Sequence, residues 1–389
     1  MPGFELIGKD EQIALNEIFE KSGGVLFAHG FDVKRNSIFR VREFENKFAQ
    51  WHGGAYAAAT TSGTSAQYIA MKCLGIGPGD EVITQAFTFI ATIEAILACG
   101  ATPIVVNVND TYNIDPLELE SAITNRTKAI VPVHMLGNPA EMDLISEIAK
   151  RHNLLVIEDS CEALGATYKG AHTGMLSDVG VFSLDFGKTI TCGEGGMIIS
   201  DNSELIERCS QFADHGHECK KGVPRGLDTA KFYGFNYRMT EMQGAVGIVQ
   251  LEKLEYIVDT NRKNKSIIKN IIKKSDKIKF RRITDETGEL GDTIIFNFDN
   301  QNTAERMVEL MTKAGLGTKN VPDANNWHFA KNWHQVWSLN DKYQYTYQTI
   351  WNKTNDLLNR SISLPIMVSW DENYCIEYGN KILNIINSL

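Results

Sequence analysis

One lysine, Lys188, lies in a glycine-rich turn, Val181-Phe-Ser-Leu-Asp-Phe-Gly-Lys-Thr-Ile-Thr-Cys-Gly-Glu-Gly-Gly196. Apolar segments on either side, Asp178 to Phe182 and Met197 to Ser200, read as buried strands, so the turn is pinned at both ends. A poorly solvated ammonium gives up its proton more readily and can then attack a carbonyl to form a Schiff base. Taken alone, such a lysine is more often a solvated turn residue. Two further stretches carry suitable chemistry. Thr60-Thr61-Ser62-Gly63-Thr64-Ser65 precedes a helical stripe of Ala66, Ile69, Ala70 and Cys73. Its free backbone N–H groups at the start of a helix would suit a phosphate, or would simply cap the helix. Asp159 falls just past the strand Leu154 to Ile157, where a carboxylate either caps a helix or faces a ligand.

The elements that must position these residues alternate. Strands are expected at Glu81 to Thr84, Pro103 to Val106, Ala129 to Val133 and Leu154 to Ile157, with helices through Leu97, over Met142 to His152 and over Leu205 to Phe212. Repeats of roughly 15 to 25 residues are those of βα units, and they predict a doubly wound α/β sheet that binds ligands beyond its strands' carboxyl ends. Helices Glu11 to Lys21 and Val41 to Trp51 precede the sheet, the second with a core stripe of Phe44, Phe48 and Trp51. Thr240-Glu-Met-Gln243 starts another helix, and the lysine-rich Arg262 to Lys279 reads as a solvated connecting helix. From about Ile278 a smaller α+β unit is expected, with strand Thr293 to Phe298, helix Thr303 to Lys313, strand end Ser361 to Pro365 and a last helix Glu372 to Ile386. The boundary is placed at 255/256: residues 1–255 form an N-terminal arm and a large domain, and 256–389 the connecting helix and small domain.

Two loops stay ambiguous. Gly23 to Phe31, with Phe27 and His29, is a binding loop or a packed arm; Asn325 to His334, with Trp327 and His328, is a ligand-facing loop or a satellite core. Gly75-Ile-Gly77-Pro-Gly79-Asp80 follows a helix and precedes a strand, the wrong context for a dinucleotide loop, and is a turn. His215 and His217 lack a ligand set around them, so no metal is expected. Seven cysteines without a Cys-x-x-Cys pair indicate neither a disulfide framework nor a zinc site. A net charge of -9 disfavours nucleic acid as a partner. No apolar run of bilayer length and no signal-peptide layout is present in the sequence, so no membrane partner and a cytoplasmic location are expected.

Pyridoxal 5'-phosphate needs a lysine for its aldehyde, an anion for its ring nitrogen, a phosphate cradle and a flat surface for its ring. Lys188, Asp159, the Thr61–Ala66 turn with Ser183, and Phe89 supply these at compatible strand ends. In order, Thr61-Ser-Gly-Thr-Ser-Ala66, Phe87-Thr-Phe89, Val156-Ile-Glu-Asp159, Phe182-Ser183, Lys188-Thr-Ile-Thr-x-Gly-Glu-Gly-Gly-Met197 and Gly234-Phe-Asn-Tyr-Arg-Met-x-Glu-x-Gln243 resemble the DegT/StrS sugar aminotransferases. The resemblance spans nearly the whole chain. It implies the aspartate-aminotransferase fold (PLP fold type I), a large doubly wound mixed sheet with a smaller C-terminal α+β domain, and a homodimer with shared sites. It makes Lys188 the Schiff-base lysine and proton shuttle, Asp159 the ring-nitrogen partner and Phe89 the stacking ring. Gly63, Thr64, Ser65 and Ser183 would hold the phosphate, and Asn236 would reach the phosphate in the other subunit. Glu162 stands where the family commonly has Gln or His, and a second negative charge there would alter the tuning of the lysine's bond to the cofactor. Related dehydratases carry histidine in place of the lysine, so Lys188 favours transamination.

The partners implied are a keto sugar and an amino acid donor, glutamate. Phe27, His29, Arg238, Trp327 and His328 are the expected substrate contacts. The opening Met-Pro-Gly-Phe-Glu-Leu, the Gly30-Phe31 loop and Asn326-Trp-His-Phe-Ala330 resemble those family members that aminate the terminal carbon of an eight-carbon keto sugar acid for lipopolysaccharide. The alternative acceptor is a nucleotide-linked 4-keto-hexose.

Overall fold

Apolar strands that alternate with amphipathic helices build a sheet whose crossovers cover both faces. The computed structural model describes residues 3–220, 223–338, 340, 342–344 and 346–389; Met1 and Pro2 of the opening motif lie outside them. Its large sheet contains β1 (Tyr56–Thr60), β2 (Glu81–Gln85), β3 (Thr102–Val106), β4 (Thr127–Ile130) and β5 (Leu155–Asp159). After a small hairpin, β6 (Thr167–Tyr168) and β7 (Ala171–His172), come β8 (Val179–Ser183) and β9 (Gly196–Ser200). The order is β1-β9-β8-β5-β4-β2-β3.

Strands β3, β2, β4, β5 and β8 pair in parallel, whereas β9 is antiparallel to both β8 and β1. That one reversal matters for the site. Parallel neighbours need a long crossover, but antiparallel neighbours can be joined by a loop that stays at one edge. The β8–β9 connection, which carries Lys188, therefore remains at the carboxyl ends of β5 and β8. Strands β2, β8 and β9 are buried along their whole length, and β8 and β9 accordingly show no apolar–polar alternation. The strand β1 was not legible as one: Ala57-Ala58-Ala59 carries no β-branched signal, and its place is set by pairing with Met197 to Ile199.

A three-stranded antiparallel sheet, β10 (Lys279–Phe280), β11 (Thr293–Asn297) and β12 (Ser361–Pro365), forms the smaller unit. Ile268, Phe296, Met307, Ile362 and Ile382 share its core with helices Leu254–Ile272, Gln301–Lys313 and Glu372–Ser388. The expected solvated connector differs in the structure. Helix Leu254–Ile272 buries Asn261, Asn264, Lys265, Ile268 and Ile272, and Lys265 pairs with Glu289 at 2.5 Å. Burial pulls the Lys265 ammonium down to about 8 against the pull of Glu289. A count of lysines could not show that one is turned inward.

The aromatic stretch after Asn325 is divided. Trp333, Trp337 and Trp351 are buried with Phe87, Tyr112 and Val133 in a satellite core, while Trp327 stays 57% exposed. Backbone bonds fasten this stretch to the end of β2: Ala330 N to Ala86 O at 2.9 Å, Thr88 N to His328 O at 2.9 Å and Ile90 N to Trp327 O at 3.0 Å.

At the amino end, Arg35 is fully buried and pairs with Glu241 at 2.5 Å, while its Nη1 donates to Phe27 O at 2.9 Å. Glu241 also accepts from Arg40 N at 2.6 Å. This pair fixes the Gly23–Phe39 arm on helix Glu241–Glu252. Removing one partner of a buried pair leaves an uncompensated charge, so Arg35→Ala is expected to destabilise the fold by roughly 3 to 5 kcal/mol. The urea midpoint and the protease sensitivity of residues 23–39 check this, and an unchanged midpoint would contradict it.

Candidate active site

Beyond the carboxyl ends of β1, β2, β5 and β8 lies a cavity of about 410 Å³. Gly63, Thr64, Phe89, Asp159, Glu162 and Ser183 line it, together with Lys188 and His328. The sequence reading thus named residues that the fold brings together from six separate segments.

The Lys188 loop is closed at its base, where Leu184 N donates to Gly195 O at 2.8 Å and Cys192 N to Leu184 O at 3.1 Å. Lys188 N donates to Asp185 O at 3.0 Å, and Gly3 N donates to Lys188 O at 3.1 Å. Outside, Thr191 N donates to Gln250 Oε1 and Gln243 Nε2 to Glu194 O. A side chain on so tightly tied a loop has a fixed origin.

Asp159 is buried at 3% exposure, and its Oδ2 accepts from Gln67 Nε2 at 2.7 Å and Thr92 Oγ1 at 2.8 Å. Its Oδ1 accepts from Cys161 N at 3.2 Å, a turn bond and not the helix cap expected as the alternative, since among the described residues no helix stands between β5 and β6. Gln67 and Thr92 escaped the sequence reading, although Gln67 sits one helical turn after Gly63 on the same face.

Glu162 Oε1 lies 3.8 Å from Lys188 Nζ and 3.6 Å from His328 Nε2. Burial alone would push the Glu162 carboxyl up, but the charge of Lys188 and the His328 imidazole hold it well below the ordinary carboxylate range. The lysine departs from expectation for the same reason. Burial by itself lowers its pKa, yet the charges of Glu162, Asp159 and Asp185 outweigh that and raise it above the ordinary value. In this arrangement Lys188 is an ammonium held by carboxylates, not an amine freed by desolvation.

Helix Gly63–Cys73 opens at the cavity with Ser62 as N-cap, accepting from Ser65 N at 3.1 Å. Ser65 is spent on this box: its Oγ donates to Ser62 O at 2.8 Å and accepts from Ser62 N at 3.0 Å. Gly63 and Thr64 line the cavity and Ser65 does not. A Cβ on Gly63 would stand 2.8 Å from Ser183 Cβ and 3.0 Å from Cys161 Sγ, so the helix start can approach β8 only as glycine. Phe89, 41% exposed, stacks with Trp327 at 6.5 Å between centroids and meets His328 at 5.3 Å.

Asn236, Arg238, Phe27 and His29 gather elsewhere. Arg238 Nη1 lies 2.5 Å from Asp214 Oδ1, His29 Nε2 lies 3.1 Å from Asp214 Oδ2, and the Arg238 guanidinium sits 5.2 Å from the Phe27 ring centroid. Asn236 is exposed beside them, bridged to Asp214 in the backbone. None of the four lines the cavity that holds Lys188. Cys219 joins His29 and Asp214 with potential ligand atoms within 4.8 Å of one another, but Arg238 and His29 already engage the carboxylate.

The donor set fits pyridoxal phosphate. A lysine, a carboxylate held by three donors, an open helix start beside Ser183 and a partly exposed ring all border one space. Among the described residues the buried Gln67 Oε1 has no hydrogen-bond partner, which leaves an acceptor beside Asp159. The family pattern of the DegT/DnrJ/EryC1/StrS aminotransferases matches residues 36–377. A GDP-perosamine synthase of Caulobacter vibrioides (strain ATCC 19089 / CIP 103742 / CB 15) is 46% identical over 217 residues, 55% of this chain and 57% of that protein. One from Escherichia coli O157:H7 is 42% identical over 233 residues, 60% and 63% of the two chains. The alignments thus span about three fifths of these relatives' own length. Among solved structures, 3-amino-5-hydroxybenzoic acid synthase superposes with a TM-score of 0.85 at 26% identity, covering 100% of this chain and 99% of its own. NtdA from Bacillus subtilis with bound cofactor PMP gives 0.82 at 28% identity, over 99% and 84%. These likenesses bear out the fold class expected from the sequence.

Gly63→Ala tests the cradle. It is expected to weaken pyridoxal phosphate retention at least about tenfold while the far-ultraviolet spectrum is kept, because the collision displaces the helix start and the hydrogen bonds it offers. Cofactor absorbance after dialysis measures it, and full retention would contradict the role given to this helix.

Proposed function

The chain belongs to the DegT/DnrJ/EryC1/StrS aminotransferase family, whose cofactor is pyridoxal phosphate, and on that footing we propose that it moves an amino group from an amino acid, glutamate, to a keto sugar. The observation that carries this reading is the convergence of Lys188, Asp159, Gly63 and Phe89 on one cavity. Bound there, pyridoxal phosphate supplies an aldehyde for the lysine and a protonated ring that takes up electron density from a substrate carbon.

The residues divide the remaining work. Lys188 Nζ holds and moves the proton exchanged at the substrate carbon, and the closed base of its loop keeps that atom in place. Asp159 keeps a proton on a ring nitrogen by its charge, and Gln67 and Thr92 keep the carboxylate oriented. The start of helix Gly63–Cys73 binds phosphate through backbone N–H groups and its dipole. The Trp327–His328 segment, fastened to the end of β2, narrows access by water from the small unit's side.

The acceptor we favour is 8-oxo-3-deoxy-manno-octulosonate, giving 8-amino-3,8-dideoxy-manno-octulosonate for lipopolysaccharide. It is supported by the resemblance in the Gly30-Phe31 loop and Asn326–Ala330. The identity with the two GDP-perosamine synthases favours a nucleotide-linked 4-keto-6-deoxyhexose instead. Incubation with glutamate and each keto sugar, read by product mass, decides between them. The cluster of Asn236, Arg238, Phe27 and His29 serves the site of a second copy in a homodimer, since it lies apart from this chain's own cavity.

Lys188→Ala is expected to abolish turnover with the fold retained, and near wild-type turnover would refute the function. Asp159→Asn keeps shape but removes charge, and the rate is expected to fall roughly a hundredfold or more. Mixing Lys188→Ala with Asn236→Ala subunits tests the shared site. Random exchange should leave one intact site per mixed dimer, about a quarter of wild-type activity. Exchange shown by tagged pull-down without recovery would place Asn236 in its own chain's site.

A further inference from the structure

Glu162 meets two nitrogen-bearing side chains that come from different parts of the fold. Lys188 approaches its Oε1 from the β8–β9 loop at 3.8 Å, and His328 from the small unit's aromatic stretch at 3.6 Å. Its Oε2 accepts from Leu136 N at 3.2 Å, so the carboxylate cannot swing away from both. The His328 ring is oriented by Nδ1, which lies 3.0 Å from Ala324 O. A carbonyl only accepts, so Nδ1 carries a hydrogen, and Nε2 can donate to Glu162 only when the ring carries both protons.

The other charges nearby are committed. Lys319 is paired with Asp292 at 2.7 Å. Arg281 donates to Met135 O and Leu136 O at 3.1 and 2.7 Å. Around Lys188 the remaining facing groups are Cys161, Asp159 and Asp185; Asp159 is held by Gln67 and Thr92, and Asp185 by Gly187 N at 2.9 Å. His328 is therefore the group placed to match the Glu162 charge when the lysine is neutral.

A lysine that shuttles protons alternates between ammonium and amine. Each loss of its proton would strand a buried carboxylate beside it, and a stranded charge resists that loss. We propose that His328 is a positioning residue acting through Glu162: its doubly protonated imidazole shares the carboxylate with Lys188 and remains its counter-charge whenever Lys188 Nζ is neutral. No proton passes between His328 and Lys188; the imidazole's charge stays fixed while the lysine's changes. Glutamate is thereby compatible with a position where a neutral amide would need no such partner. This inference rests on the aminotransferase reading of the same site.

The test is the pH dependence of Lys188 labelling by an amine-reactive reagent in the full-length chain loaded with pyridoxamine phosphate, which leaves Nζ free, followed by peptide mass. Glu162→Gln should lower the labelling midpoint by about one pH unit or more, because it removes the charge that favours the ammonium. His328→Asn should raise the midpoint by about half a unit, because Glu162 then acts on the lysine alone. In the Glu162→Gln background, His328→Asn should shift nothing, since the neutral amide no longer holds the imidazole's second proton. His328→Gln, with circular dichroism as a fold check, substitutes if the asparagine variant unfolds. An unmoved midpoint in the His328 variants, or the same shift in both backgrounds, overturns the proposal. Borohydride trapping of pyridoxal phosphate on Lys188 keeps the two readings apart. Failure to trap it in the wild type sinks the aminotransferase assignment, whereas trapping with unmoved midpoints sinks only the role of His328.

Discussion

Two carboxylates three residues apart, Asp159 and Glu162, are buried beyond the end of β5, and much of the molecule is arranged to make that tolerable. A carboxylate taken out of water survives as an anion only with cations or several donors around it. Asp159 is held by donors: an amide, a hydroxyl and a backbone N–H. Glu162 is flanked by the Lys188 ammonium at 3.8 Å and the His328 imidazole at 3.6 Å. The helix Gly63–Cys73 brings Gln67, the helix Ala91–Ala98 brings Thr92, the β8–β9 loop brings Lys188 and the small unit brings His328. Four elements distant in sequence are thus fixed by the needs of one strand end.

The reversed strand β9 makes this convergence available. Had β9 run parallel to β8, the connection would have had to cross to the opposite edge of the sheet and could not have closed on itself at the carboxyl ends. Instead the loop stays at the carboxyl edge and is tied outward to helix Glu241–Glu252. The same helix holds the Gly23–Phe39 arm through the buried Glu241. Loop, helix and arm form one mechanical unit, which is why residues far from the cavity bear on the position of Lys188 Nζ.

Most of this was legible where chemistry and periodicity coincide. Runs of buried strand residues, glycine-rich turns and helix starts placed Lys188, Gly63, Asp159 and Ser183 at strand ends before any coordinates. Glu158 and Asp159 show the limit. Adjacent on a strand, they point to opposite faces. Glu158 is absorbed into structure by Gly174 N and Leu176 N at 2.7 Å and by His134 at 2.9 Å, while its neighbour lines the cavity. Alternation predicts that they differ, but only the fold says which face holds the ligand. Ser65 shows a second limit, since the engagement of its hydroxyl in a capping box with Ser62 is not visible in the composition of the turn. The proton of Lys188 was misjudged because burial was visible in the sequence and the crossing of two elements at Glu162 was not.

The aromatic stretch is more than a cover. It continues the backbone pairing of β2 through Ala86, Thr88 and Ile90. Its buried tryptophans fill a core shared with Phe87, Val105 and Val133 of the large sheet's edge. One side of the stretch, Trp333 and Trp337, is spent on that core, while His328 lines the cavity and the exposed Trp327 stacks on Phe89. The stretch is thus core at some residues and cavity border at another. Burial of one set of rings fixes the backbone from which the second set projects. The positions of Trp327 and His328 are thus determined by hydrophobic packing, and the surroundings of Glu162 are determined with them, because His328 belongs to the same fastened stretch of chain.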